Sequence, residues 1–225
     1  MMKKYVKLIM IWTLLSVIAV SGFSQEEDKN LLDQKVKAFL QKMKYQWRDM
    51  NVPEVDGKLL YEIIIKNQYK KALELGTSTG HSAIWIAWAL SKTGGKLITV
   101  EISERRYREA ITNFKEAGLS EYIDARLADA HQLVKEVEGP FDFVFIDADK
   151  GWYTNYAKAL IPKLGIGGCM SAHNVYLPRP NRRGLYRRGG YGTGVYYEFM
   201  ESHPDFETSI LPEGGGGLAV SYKKK

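Results

Sequence analysis

The chain has 225 residues, of which 45% are hydrophobic and 26% charged, a balance that excludes a disordered or collagen-like protein. Its 32 lysines and arginines against 26 acids give a formal charge of +6, half of which comes from Lys3, Lys4 and Lys7, so the remainder is too mild for a phosphate-backbone binder. A single cysteine, Cys169, excludes an internal disulfide or a zinc site built on several thiolates and reads as a small buried residue.

The three lysines precede an apolar run over 8–20, interrupted by Thr13 and Ser16, and then small Gly22 and Ser24. The run is shorter than the roughly 18 residues of a membrane span, which predicts a secretory signal peptide over residues 1–24, cleaved before Gln25. The alternative is an uncleaved membrane anchor; the acids Glu26, Glu27 and Asp28 favour cleavage. Either way the protein is expected to be exported, periplasmic or extracellular, or membrane-anchored, with one domain over 25–225.

From 31 to 50, apolar residues at Leu32, Val36, Phe39, Leu40, Met43 and Trp47 recur at helical spacing and predict an amphipathic helix. Asp56 is expected to cap a second helix, with Leu59, Leu60, Ile63 and Ile64 facing inward, ending near Tyr69. Short apolar runs then alternate with longer helical segments. Strands are predicted at 71–75, 96–101, 122–127, 141–147 and 168–174, with crossover helices at 82–90, 104–117, 129–137 and 153–164. The alternation gives an α/β fold with a doubly wound, mostly parallel sheet and helices on both faces. Near the end, runs at 206–211 and 218–222 are separated only by Pro212, Glu213 and four glycines, a hairpin spacing that makes the last strand antiparallel.

Candidate functional residues begin where the first strand ends, in Glu74-Leu75-Gly76-Thr77-Ser78-Thr79-Gly80-His81-Ser82. Strand, glycine turn and helix N-terminus form a ligand cradle in doubly wound folds. Gly76 is expected to let the backbone approach a ligand, and Gly80 to let the helix start close to the strand. Glu101 closes the second strand about 25 residues on, where a carboxylate accepts hydrogen bonds from a ribose diol. A nucleoside-type cofactor follows, although the dinucleotide fingerprint is absent.

Four blocks, ELGTSTGHSA, ITVEIS, FDFVFIDADK and GGCMSAHNV, resemble the class I S-adenosylmethionine-dependent O-methyltransferases of the catechol and caffeoyl-coenzyme A type. The resemblance runs from about residue 31 to the C-terminus and implies a Rossmann-like sheet of seven strands with the seventh reversed. It implies that Glu74, Gly76 and Ser82 line the methionine and ribose end of S-adenosylmethionine, that Glu101 holds the ribose, that Ala130 contacts the adenine and that Asp149 faces the cofactor. It further implies that Asp147 is a divalent-metal ligand, Lys150 the catalytic base, and a small, aromatic hydroxyl compound the methyl acceptor.

The family pattern is broken at His173, where an Asp is usual before Asn174. A metal site of Asp147, His173 and Asn174 shifts preference from magnesium towards manganese, iron or zinc. His173 could instead be the general base of a metal-independent reaction, or a strand-end histidine without a role. The arginines 179, 182, 183, 187 and 188, with Tyr176, Tyr186 and Tyr191, could clamp an anionic aromatic acceptor or form a solvated loop. Trp85 and Trp88 read as core, and Trp152 as packing or a wall of the acceptor pocket. Two other classes stay open: a tRNA-modifying methyltransferase, against which export argues, and a non-catalytic protein that keeps the cofactor fold. Nucleic acid is otherwise not an expected partner, and a homodimer is consistent with the family.

Overall fold

The structure is a computed structural model, and it describes residues 27–176 and 192–225. The proposed export segment at 1–24 and the arginine-rich stretch from 179 to 188 lie outside the described residues. Among those described, no helix is long and apolar enough to cross a membrane.

Seven strands form one sheet in the order β3-β2-β1-β4-β5-β7-β6. They are β1 (Lys71–Leu75), β2 (Lys96–Glu101), β3 (Ile123–Leu127), β4 (Phe141–Ile146), β5 (Leu164–Ala172), β6 (Phe206–Ile210) and β7 (Ala219–Lys223). β7 runs antiparallel to both β5 and β6, and the other pairings are parallel. The helices are α1 (27–43), α2 (Glu54–Asn67), α3 (His81–Thr93), α4 (Glu104–Ala117), α5 (Ala130–Glu136), α6 (Tyr153–Leu160) and α7 (Thr193–Glu201).

Strand alternation divides the core into two layers. Ala72, Leu97, Phe143, Phe145 and Cys169 meet α1, α2, α3 and the inner side of α4, while Leu73, Leu75, Val144, Ile146 and Met170 meet α5, α6 and α7. Leu73, fully buried in the second layer, is a position where truncation to Ala costs roughly 2–5 kcal/mol. Cys169 is buried as expected, and burial pushes its thiol up to about 12, which keeps it inert.

Three expectations are corrected. α1 ends at residue 43 rather than 50, because Trp47 leaves the helix to stack on His81, with ring centroids 4.5 Å apart. β5 starts at Leu164, its glycines accommodating a register shift against β4, and ends at Ala172, before Asn174 takes φ 58°. The cap position of α2 is Pro53, and Asp56 lies within the first turn with its fully buried side chain directed elsewhere.

Candidate active site

The loop after β1 is tightly determined. Gly76, Ser78 and Gly80 have φ of 96°, 49° and 101°, and the amides of Gly76 and Thr77 both donate to Val100 O at 3.0 Å. A Cβ on Gly76 would stand 2.6 Å from Asp147 O, and one on Gly80 would stand 2.6 Å from Phe114 Cε1. Gly76 is thus required by the crossing of the β4 end, and Gly80 by contact with α4. Asn51, in the segment after α1, donates to Thr79 Oγ1 at 2.8 Å and braces the loop from outside. Asp49 anchors that segment to α4 through Arg105 and Arg106, whose hydrogen bonds hold its carboxyl down at about 2.

Glu101 is nearly buried and accepts from Ser78 N at 2.8 Å and Ser103 N at 2.9 Å, so its carboxylate is aimed by the backbone before any ligand arrives. Glu74 sits beneath the loop, one strand inward. Its Oε2 accepts from Thr99 Oγ1 at 2.5 Å, while Oε1 has no hydrogen-bond partner, and the Ser78 hydroxyl is also buried and unpartnered. Burial raises the Glu74 pKa to about 7; the nearby Ser82 and Thr99 hydroxyls pull against that, and the charges of Asp147 and Glu101 add to it.

Next along the sheet, Asp129 caps α5 by accepting from His131 N at 2.8 Å. The His131 ring stacks on Trp152, with centroids 3.9 Å apart and planes at 15°, and its Nε2 lies 3.4 Å from Asp149 Oδ2. Asp149 also accepts from Gly151 N at 2.9 Å. Trp152 therefore packs, as one of its two sequence readings held, and it does so against a histidine that carried no sequence signal.

A cluster of charges forms where β4 and β5 end. Asp147 Oδ1 is paired with Lys150 Nζ and accepts from Tyr153 Oη at 3.4 Å, and Asp147 Oδ2 lies 3.5 Å from His173 Nδ1. The other ring nitrogen of His173 lies 3.0 Å from Asp56 Oδ2. Burial pulls the His173 pKa down, but hydrogen bonds and charge from Asp147 and Asp56 outweigh it and raise the value to about 9. Asp56 also accepts from Gly215 N and Gly216 N, each at 2.8 Å, so the glycine run beyond β6 wraps this carboxylate besides turning the chain.

A cleft of about 680 Å³ joins the two regions, within the usual range for small-molecule sites. Gly76, Ser78, Glu101, Ala130 and Asp149 line one part, and Asp147, Lys150, His173 and Asn174 the other. Of the residues expected at the cofactor, Glu74 and Ser82 are buried behind the loop rather than on the cleft wall. A further cavity of about 600 Å³ lies between α1, α2 and α3, lined by Trp47, His81, Trp85 and Trp88. There His81 donates from Nδ1 to Val52 O at 2.8 Å and accepts from Trp85 Nε1 at 3.0 Å, and burial lowers its pKa, so it is a neutral packing residue.

The sequence pattern of the O-methyltransferase family matches residues 22–178. The chain belongs to the O-methyltransferase family. It is 33% identical over 193 residues to the flavonoid 3',5'-methyltransferase of Vitis vinifera, covering 80% of this chain and 81% of that one. A catechol O-methyltransferase of Niastella koreensis is 40% identical over 130 residues, which take in 56% of this chain and 58% of that protein. The O-methyltransferase from Bacillus cereus, solved in complex with SAH, superposes with a TM-score of 0.70 at 25% identity, over 85% of this chain and 91% of that one. The seven-stranded sheet with its reversed β7 is the Rossmann-like arrangement of these methyltransferases.

The residues of this O-methyltransferase fit the nucleoside cofactor. The Ser78 Oγ, on the cleft wall, is a buried unpartnered polar atom that a bound polar group would satisfy, and Glu101 has acceptor capacity beyond its two backbone donors. For a divalent cation, Asp147, His173 and Asn174 reach one cleft, where Asp147 Oδ1 is paired with Lys150 Nζ, Asp147 Oδ2 lies 3.5 Å from His173 Nδ1 and His173 Nε2 lies 3.0 Å from Asp56 Oδ2. Among the described residues, no group of three His, Cys, Asp or Glu side chains is placed to hold a metal ion.

Proposed function

We propose that the domain transfers a methyl group from S-adenosylmethionine to a hydroxyl of a small phenolic acceptor, of the catechol type. The carrying observation is the single cleft that places the Ser78–Glu101 cradle beside the Asp147–Lys150 pair. Relatives of similar sequence are by name a catechol O-methyltransferase and a flavonoid 3',5'-methyltransferase, and the Bacillus cereus O-methyltransferase was solved with SAH, which supports this reading.

Bound S-adenosylmethionine supplies an electrophilic methyl carbon on its sulfonium. Glu101 would hold the ribose, the region around Ala130 the adenine, and the Gly76–Ser78 turn with buried Glu74 the amino-acid end. Lys150 faces the acceptor. A phenol ionises near pH 10 in water, and an adjacent ammonium lowers that value by pairing with the oxyanion. The Lys150 side chain is 41% exposed, so it can pass a proton to water as it takes the hydroxyl proton, returning to its charged state. The oxygen forms the new bond to the methyl carbon as the carbon–sulfur bond breaks, its electron pair remaining on sulfur. Closing three atoms into line is the main catalytic task, and rigid elements at the strand ends perform it.

Calorimetry with S-adenosylmethionine, followed by methyl transfer to a catechol panel, tests the proposal. Saturable binding with a methylated phenol as product is expected; absence of binding removes the cofactor assignment, and binding without transfer removes the reaction. Export or anchoring through residues 1–24 is proposed alongside, on the strength of Lys3, Lys4, Lys7 and the apolar run, and sequencing the mature N-terminus tests it.

A further inference from the structure

The cavity of about 600 Å³ between α1, α2 and α3 takes no part in the transfer reaction, yet its volume is that of a small-molecule site. Trp47, Trp85 and Trp88 all line it. Trp85 Nε1 donates to His81 Nε2 at 3.0 Å and Trp88 Nε1 to Asp33 Oδ1 at 2.7 Å, so the polar edges of both rings are committed inside the protein. Trp47 is fixed in turn by stacking on His81, and what the three indoles have left for a ligand is apolar aromatic surface.

Charge enters at the rim, where lysines outnumber the acids that neutralise them. Lys58 is paired with Glu54 at 2.7 Å, and Asp49 is held by Arg105 and Arg106 of α4. Among the described residues Lys37 and Lys44 belong to no ion pair, although both line the cavity and both are exposed. A ligand with a negative charge beside its ring therefore meets two ammonium groups that lack an acidic partner, whereas a cation meets no unpaired acid. Indole faces attract cations too, and the surplus charge decides against that class.

The cavity and the cofactor cleft share a wall. Asp49 lines the cavity, Met50 the cleft, and Asn51 both. Asn51 donates to Thr79 Oγ1 at 2.8 Å in the loop after β1, and Val52 O accepts from His81 Nδ1 at 2.8 Å where α3 begins. A ligand packed on Trp47 and Asn51 holds this segment in the arrangement that braces the loop. Whatever favours that arrangement favours the cofactor, and the cofactor favours the ligand by the same factor.

We propose that this cavity is a second small-molecule site, taking a flat aromatic anion such as a two-ring arene carboxylate, and that its occupancy strengthens cofactor binding through segment 49–52. The coupling rests on the cofactor reading of the cleft; the site itself does not.

The probe is 2-naphthoate, which has the rings and the charge but no hydroxyl to methylate, set against neutral 2-naphthamide. Calorimetry with the full chain should give saturable 2-naphthoate binding with a dissociation constant below about 0.1 mM, and binding about tenfold weaker for the amide. K37E combined with K44E should weaken the naphthoate by about tenfold or more and leave the amide unchanged, while L40W, which fills the cavity from α1, should weaken both. Absence of saturable naphthoate binding overturns the proposal, as does binding that these variants leave intact when circular dichroism shows them folded. Saturating S-adenosylhomocysteine should tighten the naphthoate by about fivefold or more. Competition between the two puts the probe in the cleft, independence means that the shared wall transmits nothing, and either result overturns the proposal. A dimer that must dissociate before naphthoate binds also overturns it and makes a second copy of the chain the occupant. If S-adenosylhomocysteine does not bind at all, the cofactor reading fails, while the naphthoate titrations still decide the second site.

Discussion

His173 Nε2 lies 3.0 Å from Asp56 Oδ2, and the two residues are 117 positions apart in the chain. The contact ties the N-terminal turn of α2 to the end of β5, and the glycine run before β7 closes over both. Three segments distant in sequence thus converge on one ion pair beside the cleft.

Gly216 is the residue this convergence tolerates least. An added Cβ would overlap His173 Nε2 at 2.0 Å and crowd Asp56 Oδ2 at 2.7 Å, so G216A must push the pair apart. Overpacking of this kind costs roughly 1–3 kcal/mol. Urea unfolding should show a loss in that range, and turnover should fall further than stability alone explains, with cofactor affinity retained. Parent-like stability and turnover in G216A would mean that the ring has room to move.

Glu101 is the acceptor that the loop and the second strand jointly aim. E101A should weaken S-adenosylmethionine by about tenfold to a hundredfold, corresponding to roughly 1.5–3 kcal/mol for a hydrogen bond to a charged group. E101Q keeps one oxygen acceptor and should fall between parent and E101A. Calorimetry checks the order, and equal affinity in all three would remove the ribose role from Glu101.

Much of this site was legible because its signals are local. The alternation of apolar residues located β1, β2 and α4 to the residue, and the hairpin spacing after β6 correctly reversed β7. Glu101 closes β2, where the apolar pattern stops, and this marks it without reference to tertiary contacts, whereas Asp147 and Lys150, in the segment after β4, are marked by the resemblance to the family. Asp56 could not be found that way. An acid near a helix start is ordinarily a cap, and only the folded chain brings Gly215, Gly216 and His173 to it. Gly76 shows a second reason for the residue type that the chain alone does not reveal: besides lining the cleft, it lies where the backbone of Asp147 passes.

The pH dependence of stability follows from Glu74 and His173, both of which take up protons on folding. The folded value of Glu74, about 7, stands above its ordinary 4.5, and that of His173, about 9, above its ordinary 6.5. Each contribution is therefore fully present below the ordinary value and is lost as pH rises through the folded one. Stability of the cofactor-free protein should decline from about pH 5 to 9, each group accounting for at most on the order of 3 kcal/mol. Thermal melts across that range check the sign. E74Q should flatten the portion below pH 7 and leave the upper portion intact, whereas a melt that rises with pH would contradict both assignments.

The most direct test of the account follows a labelled methyl group. Incubating the full chain with S-adenosylmethionine carrying a ¹⁴C-methyl group and a catechol should move the label into an organic-soluble methyl ether at a rate that saturates in both reactants. K150M should bind the cofactor as the parent does and transfer the label on the order of a hundredfold more slowly, in the range expected for loss of a proton-transfer group. Label that stays on the cofactor with every phenolic acceptor, although the cofactor binds, would contradict the assignment of this cleft to O-methyl transfer.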